Sequence, residues 1–284
     1  ADALRASLLT GNAPGNDMRF YWEKVESERN FANKVWNATR FIMMNLDKAD
    51  ASAAALLEDA GLCGTADEAD RRRREGRKDD SVGKAMEKLQ LTIEDKWILS
   101  RLNKLTETVT RNMESFELGI ALDNVTGFIW DEYCDWYIEM VKPRLYSETD
   151  ETKTAALWTL KTVLINALKL LHPFMPFITE EIFTNIQDRE ASIMISAYPE
   201  VREEWNFTEE EGRVESVKEA VRAIRNVRSE MNVPPSKKAS VYVVSASDKV
   251  LETFGATKNV FATLCGAGEV FCQKDKAGIP DNAV

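Results

Sequence analysis

Asn30, Lys34, Asn37, Phe41 and Asn45 recur at spacings of three and four, which on a helix turning about 100° per residue puts them on a single facet. Amides that both donate and accept, one ammonium and one flat aromatic are the groups needed to hold an unstacked nucleobase. The ring offers a stacking platform, an amide reads a base edge, and the cation steadies phosphate or base. A plainer arrangement competes, in which Phe41 packs under a neighbouring helix and the asparagines only cap or meet water, because helical aromatics mostly belong to cores. Roughly 90° away on the same wheel, Phe31, Val35, Ala38, Ile42 and Leu46 form an apolar stripe that should face a core. The two facets predict one long helix, packed on one side and free for recognition on the other, with Asn16 or Asp17 capping its first turn.

Chemistry of other kinds is poorly supplied. His172, beside Pro173, is the sole histidine of 284 residues. That excludes a two-histidine metal site and leaves any Ser-His-Asp or Cys-His arrangement resting on a helix-end residue suited to packing or to a negative dipole end. Cys63, Cys134, Cys265 and Cys272 form no Cys-x-x-Cys pair, so neither structural zinc nor a disulfide framework is expected and the thiols read as reduced. Gly61, Gly64, Gly76 and Gly83 stand in a charged segment with no preceding strand, unlike a phosphate-cradling loop. On its residues the chain reads as non-catalytic, with no metal and no cofactor of its own. A net charge of −10 argues against indiscriminate polyanion binding, so any nucleic-acid site must be local. No apolar run approaches the roughly 20 residues needed to cross a bilayer, and the N-terminus lacks a charged-then-apolar leader pattern. A cytoplasmic, monomeric protein with no membrane partner is expected.

With 44% hydrophobic residues the chain can bury a core, and it reads as mainly α: an antiparallel helix bundle over residues 1–200, then a small α/β module over 208–284. Residues 48–91 read as an insertion with a short helix at 51–60. Its run Arg71-Arg72-Arg73-Arg74-Glu75-Gly76-Arg77-Lys78 is expected to be a mobile, solvated loop, or else to touch RNA. Thr92 and Asp95 start a helix cored by Ile98, Leu102, Leu105, Val109 and Met113. Leu118, Leu122, Val125, Ile129, Tyr133, Trp136 and Met140 line the next, which Pro143 should end or kink near Val141. Leu157, Leu160, Leu164, Leu168 and Leu171 mark a third, stopped by Pro173 and Pro176. Thr179 is expected to cap a helix over 179–186, and 193–195 to be extended. Thr208 and Glu211 predict a capping box for a helix reaching Met231. Residues 239–244 and 269–272 read as strands around a helical 248–262. Arg222, Arg225 and Arg228 form a partial basic stripe that either meets a phosphate backbone or pairs with acids around Glu203 and Glu209 to Glu211.

Several motifs together resemble the valyl-tRNA synthetase family: Gly15-Asn16-Asp17-Met18-Arg19-Phe20, Arg29-Asn30-Phe31-Ala32-Asn33-Lys34, Asp95-Lys96-Trp97-Ile98-Leu99-Ser100-Arg101-Leu102, Cys134-Asp135-Trp136-Tyr137, Leu171-His172-Pro173-Phe174-Met175-Pro176-Phe177 and Asn232-Val233-Pro234-Pro235-Ser236-Lys237-Lys238. The resemblance implies a C-terminal fragment, carrying the anticodon-binding domain, of a class I ligase that joins valine to its tRNA using ATP and Mg. The family signatures His-Ile-Gly-His and Lys-Met-Ser-Lys-Ser are absent, so the chain alone is expected neither to activate valine nor to charge tRNA. Its implied partners are a valine-accepting tRNA and the catalytic domain of the same polypeptide. The family's anticodon-stacking aromatic matches Phe41 and a tRNA-contacting lysine matches Lys34. Family anticodons end in adenine and cytosine, whose exocyclic amines call for carboxylates or carbonyls opposite them. Asp135, Ile138, Glu139 and Lys142 lie along one strip of the second long helix and could supply such contacts. The expected anticodon set is therefore Asn30, Lys34, Asn37, Phe41, Asp135 and Glu139, with phosphate contacts at Arg40, Lys142, Arg222 and Arg225. The alternatives are the equivalent domain of isoleucyl- or leucyl-tRNA synthetase, or a helical scaffold using the Arg-rich insertion for a protein partner.

Overall fold

The computed structural model describes the chain except residues 12–19, 59, 63, 76–80, 235 and 281–284. α1 (Asp2–Ser7) and the 25-residue α2 (Trp22–Leu46) lead into α3 (Ala51–Leu57), α4 (Ala66–Arg74) and α5 (Ser81–Lys88). α6 (Ile93–Glu114) turns back through Phe116, at φ 60°, into an uninterrupted helical run. That run comprises α7 (Leu118–Gly127), a π-wound stretch Phe128–Tyr137, and α8 (Ile138–Tyr146). α9 (Lys153–Leu171) and α10 (Pro176–Ile186) complete the bundle. α11 (Thr208–Glu230), β1 (Ala239–Val244), α12 (Asp248–Ala256), α13 (Lys258–Cys265) and β2 (Ala267–Gln273) follow.

Every residue of α9 from Ala155 to Leu171 is buried, with α2, α3, α6, α7, α8 and α10 packed around it. Its most apolar 18 residues, at mean hydropathy 1.3, match a membrane span by length and composition only, and 94% of them are buried inside the protein. The helix is instead the axle of the bundle, where a helix apolar all round belongs. Lys161 is accommodated there by donating Nζ to the carbonyls of Leu57 (2.8 Å) and Glu58 (3.2 Å), closing the end of α3. Nearby, a Cβ on Gly61 (φ 77°) would lie 2.9 Å from Ile165 Cβ, so only a residue without a side chain lets the backbone pass over α9 here.

Within 48–91 the residues 51–57, 66–74 and 81–88 are helical, so Arg71 to Arg74 stand in a helix where the charge run predicts a loop. Asp50 caps α3 by accepting from the Ala53 amide at 2.8 Å, and Thr65 with Glu68 forms a capping box on α4. Arg71 to Arg74 are the last turn of α4, where cations complement the helix dipole, and Arg73 pairs with Asp70 at 2.8 Å and with Glu200. Gly76, Arg77 and Lys78 lie outside the described residues, as do Asn16, Asp17, Cys63 and Pro235.

Other local expectations give way to packing. Tyr21 holds the cap position of α2 and no side chain caps its first turn. Pro143 sits inside α8, which continues to Tyr146. Just beyond it, buried Arg144 clamps Asp95 of α6 at 2.8 and 2.9 Å, a contact that helps outweigh the ~3 kcal/mol a helix-interior proline costs. Thr179 lies within α10, its hydroxyl donating to Met175 O at 2.8 Å. Pro176 opens that helix, as suits a residue with no amide proton to satisfy. Residues 193–195 form a 3-10 turn. No side chain caps α11, because Phe207 holds the cap position and Thr208 is already inside the helix; Glu211 turns to α6 instead, accepting from Ser100 Oγ at 2.5 Å and Lys104 Nζ at 2.7 Å. β1 and β2 pair in parallel with Tyr242 opposite Phe271, joined through α12 and α13, the long crossover that parallel strands require. α11 lies along α6, and its Val214, Val217 and Val221 enter the same core as the bundle.

Candidate nucleic-acid interface

α2 lies beside the π-wound stretch, and their contact builds the site. Phe31 stacks on Trp130 with centroids 6.4 Å apart and planes 23° apart. Lys34 Nζ lies 3.7 Å from the Trp130 ring centroid and 2.6 Å from Asp135 Oδ1, so one ammonium is gripped by an indole and a carboxylate. Each grip is weak, about 0.5–1 kcal/mol for an exposed cation–π contact and about 0–1 kcal/mol for a surface ion pair, but together they fix where the charge points. Seven residues on, about 10 Å along the axis, Phe41 is half-buried. Lys142 Nζ lies 5.8 Å from its ring and bonds the Glu139 carboxylate. Two groups of the same composition, Lys34–Asp135–Trp130 and Lys142–Glu139–Phe41, therefore line the seam between the helices. Cys134 is buried beneath it: burial pushes its thiol up to about 12, with Lys34 pulling down and Asp135 pushing up, so the sulfur stays protonated and apolar at neutral pH.

Asn30, Asn37 and Arg40 are exposed on α2 beside this seam. Asn45 is not: it is buried and its amide donates back to Phe41 O at 2.7 Å. Ile138 is likewise buried, at 6% exposure, leaving Asp135, Glu139 and Lys142 as the polar members of their strip. Arg222 and Arg225 lie elsewhere. Their guanidinium carbons stand 5.3 and 5.7 Å from the Trp136 ring, while Arg222 bonds Glu215 at 2.9 Å and Arg225 donates to Leu264 O at 2.9 Å. Arg228 donates to Pro234 O and Lys237 O. Arg225 and Arg228 thus tie α11 to later parts of the module and Arg222 pairs along its own helix, while Glu209 to Glu211 bond Lys249, Lys96 and Lys104. His172 packs with Nδ1 2.7 Å from Thr179 Oγ1, and burial holds its pKa below the ordinary value. Among the described residues no group of three or more His, Cys, Asp or Glu is placed to hold a metal ion.

Trp130 is the member of the site that sequence reasoning missed. On an α-helical wheel it falls about 140° from Asp135; π winding, which bonds i to i+5, brings the two onto one side.

A helical bundle presenting a partly buried aromatic between amides and carboxylate-held lysines has the groups needed to read a nucleic-acid loop. Residues 95–243, a little over half of the chain, match the anticodon-binding domain of tRNA ligase, and the chain belongs to that family. It is similar to the valine–tRNA ligase of Clostridium tetani, 48% identical over 284 residues, which is all of this chain and 28% of that protein. The valine–tRNA ligase of Clostridium acetobutylicum is 44% identical over 284 residues, 29% of its length. That of Halalkalibacterium halodurans is 40% identical over 265 residues, 93% of this chain and 27% of that protein. The chain spans a little over a quarter of the length of these relatives.

Proposed function

We propose that the protein reads the anticodon of a valine-accepting tRNA as the recognition part of a valine–tRNA ligase. The observation that carries this is Phe41: a partly buried ring, packed against the core and flanked by Lys142 and Glu139, on the same side of α2 as the Lys34–Asp135 pair. An anticodon loop docks along the seam, its bases unstack, and Phe41 offers one of them a stacking face worth about 1–3 kcal/mol. Asn30 and Asn37 present donors and acceptors to base edges, and Asp135 and Glu139 accept from exocyclic amines of adenine or cytosine. In doing so the carboxylates release Lys34 and Lys142, which turn with Arg40 to phosphate. Valine activation, with its ATP and Mg, belongs to parts of the relatives that this chain does not match. A monomer in the cytoplasm, with residues 208–284 as a small α/β module packed on the bundle through α11, completes the proposal.

Gel-shift titration with a valine-tRNA transcript and one differing only in the anticodon tests it. The native transcript should bind more tightly, and Phe41→Ala should cost about 1–3 kcal/mol of that affinity while circular dichroism at the titration temperature shows the fold intact. Equal affinity for the two transcripts would overturn the anticodon reading.

A further inference from the structure

α2 has a third face, which the core does not use and which shares only Arg40 with the seam. Arg29, Asn33, Trp36 and Arg40 stand at i, i+4, i+7 and i+11 of the helix, one side by helical spacing, and all four are exposed, Trp36 at 47%. Elsewhere the chain's carboxylates take up Arg73, Arg101, Arg144, Arg202 and Arg222. Among the described residues, Arg29 and Arg40 have no such partner. Exposed Glu26 and Asp47 bound the strip, so its charge is purely positive over about 16 Å of helix axis.

We propose that this strip carries the sugar–phosphate backbone of the same RNA whose loop lies on Phe41, which rests on the anticodon reading above. Arg29 and Arg40 take phosphates, Asn33 hydrogen-bonds the backbone, and Trp36 stacks an unpaired base. Charge complementarity points to this occupant: in a chain of net charge −10, two unpaired guanidiniums around an exposed indole make the cation-plus-aromatic surface that tracks a single strand. Continuity points the same way, because Asn37 borders both the strip and the base-reading facet of the one helix.

The test uses Arg29→Gln and Trp36→Leu beside Phe41→Ala, titrated against the two transcripts at salt concentrations from about 50 to 200 mM. Arg29→Gln should lower the slope of log K against log salt by about 0.7–0.9 and weaken both transcripts by the same factor, and Arg29→Lys should restore the slope. Trp36→Leu should weaken both roughly tenfold, leaving their ratio unchanged, whereas Phe41→Ala should lower the ratio. Unchanged affinity and slope in Arg29→Gln and Trp36→Leu, with native melting curves, would overturn the strip whatever Phe41→Ala does. Weakening by the strip variants in a protein that shows no anticodon preference would uphold the strip and fail the base reading.

Discussion

Arg144→Met should be among the most damaging single changes in the bundle, because it leaves a carboxylate buried without its cation. Arg144 is 6% exposed and Asp95 is fully buried. The guanidinium donates to Asp95 Oδ1 at 2.8 Å and Oδ2 at 2.9 Å, to Thr152 Oγ1 at 2.8 Å and O at 2.7 Å, and to Thr92 Oγ1 at 3.0 Å. Breaking a buried pair from one side costs about 3–5 kcal/mol. Here Asp95 keeps the Tyr137 hydroxyl at 2.7 Å and the Thr92 amide at 3.0 Å, and it sits at the positive end of α6, which returns about 0.3–1 kcal/mol. The expected loss is therefore about 3 kcal/mol, or about 6–10 °C in melting temperature for a chain of this size. Asp95→Asn removes the stranded charge and keeps one acceptor oxygen, enough for the Tyr137 hydroxyl or the Thr92 amide, so the double variant should recover at least about 1 kcal/mol over Arg144→Met alone. Urea unfolding of wild type, both single variants and the double variant measures this. A loss below about 1 kcal/mol in Arg144→Met, or a double variant no more stable than that single one, would refute the claim that the uncompensated charge dominates.

Two further outcomes follow from titratable groups. Burial, reinforced by the Asp95 charge and opposed by Arg144, raises the pKa of Glu94 above 4.5. The folded state therefore holds this proton to higher pH than the unfolded chain, and stability falls as pH rises through the window above 4.5. Glu94→Gln should be more stable than wild type at pH 7 and no different below about pH 4, where both states of Glu94 are protonated; thermal melts showing the same difference at both pH values would contradict the sign. Cys134, with its thiol held near 12, should resist iodoacetamide at pH 8 in the native protein and label on unfolding, which peptide mass spectrometry reads directly; native labelling at the unfolded rate would show the seam to be open.

Helix spans were legible because burial alone imposes their period. Ile98, Leu102, Leu105 and Val109 are all buried on α6, and the alternation over 239–244 became β1 at the same residues. Caps were less legible, since a cap is a local offer that a distant partner can outbid. Glu211 went to Ser100 and Lys104, and Pro176 moved the start of α10 ahead of Thr179. The basic stripe of α11 was visible, but its partners were not, because Leu264 is 39 residues from Arg225 and a helical wheel shows only one helix.

The site divides along the same line. Its α2 half needs only the ordinary helical period, so Lys34 and Phe41 could be placed on one facet without knowing what lies opposite. Its other half depends on the winding of residues 128–137. Under α geometry Trp130 and Asp135 would face about 140° apart, and Lys34 could meet one of them but not both. Under π geometry both reach the same ammonium, at 3.7 and 2.6 Å. The local underwinding of one helix is therefore what aims the lysine of the other, because i to i+5 bonding turns each residue through a smaller angle and brings the indole round to the side of the carboxylate.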